Sequence, residues 1–170
     1  MMWHRRLGGI MSDSLGTYIH DHLAGATIAV ETLKSMLDRQ RGTPLAEFAA
    51  KLLVDVEADR EALKNLAEII GAGPATLKEI ASWLAERAGR FKLNQDSSHS
   101  LGTFEALELL EVGIYGKWAM WRALEVISRS DRRLAGVDFR QLVTRAEAQR
   151  AIVAERRLEV ARNALASESA

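Results

Sequence analysis

Two short stretches of this 170-residue chain place charged side chains where an apolar surface should continue. "VEADREAL" (residues 56–63) and "RAEAQRAI" (residues 145–152) each contain Glu-x-x-Arg, as Glu57/Arg60 and Glu147/Arg150. Residues three apart on a helix are neighbours, so each pair has the spacing of an ion pair. Against the apolar repeat of its own segment, Asp59 and Arg60 lie near the centre of the core-facing stripe, with Glu57 at its edge. In the later segment Arg150 and Arg157 fall inside the stripe of Phe139, Leu142, Val143, Ala146, Val153, Val160 and Ala164, and Glu147 flanks it. Carboxylates drawn toward a core can hold metals, move protons or pair with buried cations. An arginine beside each favours the last, because a guanidinium keeps its proton and offers no lone pair. Removing one partner of a buried pair costs about 3–5 kcal/mol. Loss of Arg60 or Arg150 is therefore expected to destabilise the fold, and loss of Lys117 is not.

The elements that must position these residues are helices. Pro occurs only twice, which leaves long stretches without a helix breaker. Four long segments repeat apolar residues at the helical period and none alternates as a strand does, so the chain reads as all-α. The first covers about residues 15–41, with Ile19, Leu23, Ala26, Val30, Leu33 and Leu37 on one stripe. Gly42, Thr43 and Pro44 then supply a stop, an N-cap and a first-turn proline. The second covers about residues 44–70 and carries Leu45, Phe48, Leu52, Val56, Leu63, Leu66 and Ile70 inward. The third and fourth cover about residues 103–129 and 138–166, the fourth with Asp138 as N-cap. Residues 74–89 predict a shorter fifth helix with Leu77, Ile80 and Leu84 on one face, and residues 92–103 predict a loop. Short links inside each half and a long link between them predict a four-helix bundle with one long crossover containing the fifth helix. Residues 15–166 are expected to form this single bundle, with residues 1–14 a disordered N-terminal extension and residues 167–170 a disordered tail. Met11 suits a second start site.

In chain order, Glu31, Glu57-x-x-Arg60, Glu111 and Glu147-x-x-Arg150 resemble the ferritin-like superfamily, whose pattern is a lone Glu, Glu-x-x-His, a lone Glu and Glu-x-x-His. The resemblance extends over residues 15–166 and is nearest to small bacterial ferritin-like proteins. It implies six side chains around two metal ions inside the bundle, for ferroxidase, peroxidase or oxygenase chemistry. Here both histidines of that pattern are arginine, which removes two ligands and adds two repelling charges. The expectation is a ferritin-like bundle with a degenerate, metal-free centre. In it, Glu31, Glu57, Asp59, Arg60, Glu111, Glu147, Arg150 and Arg157 form an internal salt-bridge network. No cofactor is then expected, and the protein acts as a structural or interaction protein, with a homodimer the simplest self-association. The alternative is an oxidoreductase or metal-storage protein holding iron or manganese through Glu31, Glu57, Glu111 and Glu147, since carboxylates suit hard ions. A rearranged site would draw on Asp59, His20 or His22.

Other residues bear on these readings. His20 and His22 flank Asp21, but residues two apart on a helix point ~200° away from each other, so one site cannot easily use both. Glu108 and Glu125 compete with Glu111 for the inward position on the third helix. That helix is apolar nearly all round, with Leu109, Val112 and Ile127 off its main stripe, so it offers a second face to a partner or to Trp83 of the crossover. Tyr115, Trp118 and Trp121 suit core or interface anchors, and a Trp-lined interior that takes a small molecule is a third reading. Lys+Arg and Asp+Glu balance at 23 each, so no nucleic-acid partner is expected. The most apolar region, residues 104–127, is broken by six charges and no membrane span is expected. The absence of Cys excludes disulfides, thiolate metal sites and Cys nucleophiles, and suits a reducing cytoplasm. Neither a phosphate-binding loop nor a Ser/His/Asp arrangement is present, so no catalytic residues are expected.

Overall fold

The computed structural model describes residues 14–72 and 99–166. Among these residues the chain is helical throughout, without a strand: α1 (Ser14–Arg39), α2 (Pro44–Ile69), α3 (His99–Ile127), a single 3₁₀ turn (Arg132–Leu134) and α4 (Phe139–Leu165). Local chemistry sets the breaks. Gly42 turns at φ +78°, a conformation that disfavours any residue with a Cβ. Thr43 follows in extended conformation, its hydroxyl accepting from the Ala46 amide and donating to the Gln40 carbonyl at 2.8 Å. Pro44 then opens α2, where a missing N–H is harmless. Gly71, at φ +76°, ends the same helix.

The expected fifth helix at 74–89 with Trp83, the extension at 1–13, residues 92–98 and the tail at 167–170 lie outside the described residues. The loop expected through residue 103 is corrected at its end, since α3 already begins at His99. Its serines and Gly102 suggest a turn, but Leu101 and Phe104 are half-buried, three residues apart, and extend the helical face.

Two side-chain contacts fix the directions of the helices. Gln40, just past the end of α1, donates from Nε2 to Thr103 Oγ1 near the start of α3 at 3.1 Å. Arg133, between α3 and α4, donates from a terminal nitrogen to the Ile70 carbonyl at the end of α2 at 3.3 Å. Helix α1 therefore runs antiparallel to α2 and α3, while α2 and α3 are parallel. Ala72 and His99 consequently stand at opposite ends of the bundle, as in a topology with one long crossover. The main chains approach within the pairs α1/α2, α3/α4 and α1/α3. Helices α2 and α4 meet through long side chains, among them Arg156 of α4 over the Phe48 ring at 5.3 Å.

The core is in two compartments. One holds Ile19 and Leu23 of α1, Leu63 and Leu66 of α2, Met120, Trp121 and Leu124 of α3, and Phe139 and Leu142 of α4. The other holds Val30 and Leu33, then Ala49, Leu52 and Val56, then Leu107, Leu110 and Ile114, and Val153. Each fully buried Leu, Ile or Phe contributes about 1.5–3 kcal/mol of apolar transfer. Between the compartments lies a layer that is not apolar.

Asp138 caps α4 by accepting from the Gln141 amide at 3.0 Å. Asp138→Ala is expected to lower stability by about 1 kcal/mol. Urea unfolding checks this, with a lower midpoint and an unchanged slope.

Candidate functional site

Among the described residues Asp59 is the only buried acid, 3 % exposed, and Gln149 of α4 is buried beside it. The α2 positions that surround Asp59, namely Leu52, Val56, Leu63 and Leu66, are all core residues, so the helix turns this carboxylate into the interior. Lys117 of α3 is framed in the same way by Leu110, Ile114, Met120, Trp121 and Leu124. Its ammonium donates to Asp59 Oδ2 and to Gln149 Oε1. Gln149 Nε2 donates to the same Oδ2 at 3.0 Å, and Arg145 of α4 pairs with Oδ1. One carboxylate thus joins an ammonium, an amide and a guanidinium from two other helices.

Burial pushes the Lys117 ammonium below the ordinary lysine value of 10.5. Asp59 acts against that shift by charge and hydrogen bond, Arg145 reinforces it, and Asp55 opposes it. With its ammonium held by two acceptors, Lys117 works as a fixed charge. Asp59, facing three donors, is no free base.

Helix α1 sends no polar side chain into the layer. The hydroxyls of Thr27 and Thr32 return to their own helix, at Leu23 O (3.0 Å) and Ile28 O (2.8 Å). At this level α1 carries Gly25, Ala26 and Ala29, and their small size leaves a cavity of about 70 Å³ between α1, α2 and α3. Asp59, Arg60, Lys117 and Trp121 also stand in its wall, as does His22, whose ring meets Tyr18 edge-on at 4.7 Å.

The structure separates most of the residues expected to act together. Glu31 is exposed and pairs with Lys34 of its own helix at 3.4 Å. Glu57 is half-buried at the edge of α2, and Arg60 is half-buried with its Nε buried and without an acceptor among the described residues. Glu111 forms an ion pair with Arg157 at 2.7 Å, away from Asp59, and Glu108 reaches the same arginine at 3.9 Å. Glu125 serves the surface, toward Arg140 at 3.6 Å. Glu147 and Arg150 are exposed: Glu147 accepts from Trp118 Nε1 at 2.9 Å, and Arg150 lies 5.6 Å over the Tyr115 ring.

Two expectations are therefore corrected. Arg150 is not an interior cation. Positions 149 and 150 sit equally far from the centre of α4's apolar stripe, and the neutral amide is the easier of the two to bury. Lys117 is the interior cation instead, although its loss was expected to be harmless. Helix α3 is apolar nearly all round, so its stripe alone gave little contrast. The signal that finds Lys117 is its framing by core residues three, four and seven positions away.

The carboxylates of the ferritin-like pattern do not converge, and among the described residues no three His, Asp or Glu side chains form a group that could hold a metal ion. The residues present do not fit a di-metal centre, and no chemistry is derived through one. Compared with known proteins, the chain matches no family model, no curated protein and no solved structure.

Asp59→Ala leaves two cations facing the core, and Lys117→Ala leaves the carboxylate with fewer donors. Each is expected to lose about 3–5 kcal/mol. Arg150→Ala gives up an exposed ring contact and is expected to lose about 0.5–1 kcal/mol. Equal urea midpoints for the three variants would refute the placement of the layer. The alkaline response has a definite sign. The folded chain holds the Lys117 proton more weakly than the unfolded chain, so the unfolded state carries more protons in the window below 10.5. Stability of the parent relative to Lys117→Met should rise as pH is raised through that window, measured as paired urea titrations.

Proposed function

We propose that this protein is a ferritin-like bundle whose centre holds an internal ion network in place of metal ions, and that it works as a structural, self-associating protein. The observation that carries the reading is the position of the Lys117 ammonium. It is bonded to Asp59 and Gln149 at mid-bundle, between the two apolar compartments. A cation attached to the chain neutralises the buried carboxylate there and repels a dication. The parallel course of α2 and α3 supports the same topology. Elemental analysis after incubation with Fe²⁺, Mn²⁺ and Zn²⁺ and desalting is expected to find no stoichiometric metal. About two ions per chain, lost in Glu57→Ala, would replace this reading with a carboxylate-bound iron or manganese protein.

The self-association has its own support on the outside of α3 and α4. Val112, Tyr115 and Val126 share one stripe of α3 and are each more than half exposed. Tyr115 stacks on Trp118 with 5.5 Å between centroids, and Arg122 and Arg150 lie over the two rings. Aromatic and arginine side chains are enriched at protein interfaces. Glu108 and Glu147 stand near these arginines, so the surface is complementary in charge to a second copy of itself across a two-fold axis. Light scattering at micromolar concentration is expected to give a dimer mass for the parent and a monomer mass for Val112→Glu combined with Val126→Lys. A monomeric parent would remove this half of the proposal.

A further inference from the structure

The cavity beside the Asp59 layer points to a ligand site independent of self-association. Two N–H donors in its wall are buried without an acceptor among the described residues: Nε1 of Trp121, a side chain 1 % exposed, and Nε of Arg60. Buried donors are almost always met, and leaving them unmet is unfavourable, so an occupant with acceptor oxygens is required. The charges around the cavity narrow its kind. The wall contains one carboxylate, Asp59, against the cations Lys117 and Arg60. Asp59 is already engaged by Lys117 and, from behind, by Arg145. Burial pushes the His22 imidazole down, with Asp21 acting the other way, so His22 adds no charge at neutral pH. One positive charge remains in excess, facing the donors.

Size and shape narrow it further. At roughly 10–15 Å³ per water-sized group, the cavity of about 70 Å³ has room for a molecule of very few heavy atoms. Val56, Ile114 and Met120 give it apolar walls beside the polar ones. His22, Gly25, Ala26 and Ala29 are half-buried, and they form the side along α1 by which a solute enters. We propose that this cavity binds a short-chain monocarboxylate of two or three carbons. Its oxygens accept from Trp121 Nε1 and Arg60 Nε, and its alkyl end lies against Val56 and Ile114.

Calorimetric titration of the full chain with sodium propionate, with sodium chloride at equal ionic strength as control, tests this. The expected result is a saturable heat with one site per chain and none from chloride. Trp121→Phe keeps the ring and loses the donor, and is expected to weaken binding by about tenfold. A Cβ built at Gly25 meets nothing within 4 Å, so Gly25→Leu can fill the cavity without collision. Leucine also favours the helix over glycine, so this variant should fold at least as well as the parent and bind no propionate. A parent indistinguishable from the chloride control would mean that the cavity holds water only and would overturn the proposal. Undiminished binding by Gly25→Leu would place the carboxylate elsewhere and overturn it equally.

Discussion

A carboxylate taken out of water must be met by donors or it cannot remain charged, and the organisation of this bundle follows from meeting that demand at Asp59. One ammonium, one amide and one guanidinium are required at a single point, and they come from α3 and α4. The helix that carries the acid therefore has to face both of the others at one height. Apolar packing alone sets no such height, because leucines on neighbouring helices can interdigitate at several registers. Sliding α4 by one turn along α2 would move Gln149 by about 5.4 Å and break every bond of the layer. The polar layer keys the two halves of the bundle together.

The fourth helix solves the same problem by abstaining. Since α1 bonds its hydroxyls to its own carbonyls and offers Gly25, Ala26 and Ala29 at the critical height, it adds no competing polar group. Its small residues also leave the space beside the layer unfilled. The ion network and the cavity are thus two results of one distribution of side chains: long polar groups on three helices and almost nothing on the fourth.

Much of the helical framework was legible in the sequence, because helix ends depend on local chemistry. Gly42-Thr43-Pro44 and Asp138 act through neighbours within a few residues, and the expected boundaries of α1, α2 and α4 lie within two residues of those observed. The start of α3 was less legible, since a weakly apolar face there outweighs turn-forming residues. Asp59 was readable as an interior charge from its place in the α2 stripe. Its partners were not, because they depend on which helices face each other. Spacing treats Gln149 and Arg150 alike, and only desolvation, against the length that lets arginine reach outward, separates them. The Glu-x-x-Arg repeat drew notice to both helices, yet of its four residues only Arg60 stands at the cavity.

The sequence separations inside the layer have a consequence for how the chain acquires its structure. Lys117 is 58 positions from Asp59, and Gln149 is 90 positions from it, whereas the turns of each hairpin close within a few residues. Short loops close early and at low entropic cost, and long ones follow. Each hairpin can therefore assemble around its own apolar stripe before the ion network exists, and the network completes only when the two hairpins dock. Interactions absent from the transition state govern the rate of unfolding far more than that of folding. The Asp59 layer thus acts as a latch on an already assembled pair of hairpins, and weakening it steepens escape from the native state while leaving the approach to it nearly unchanged.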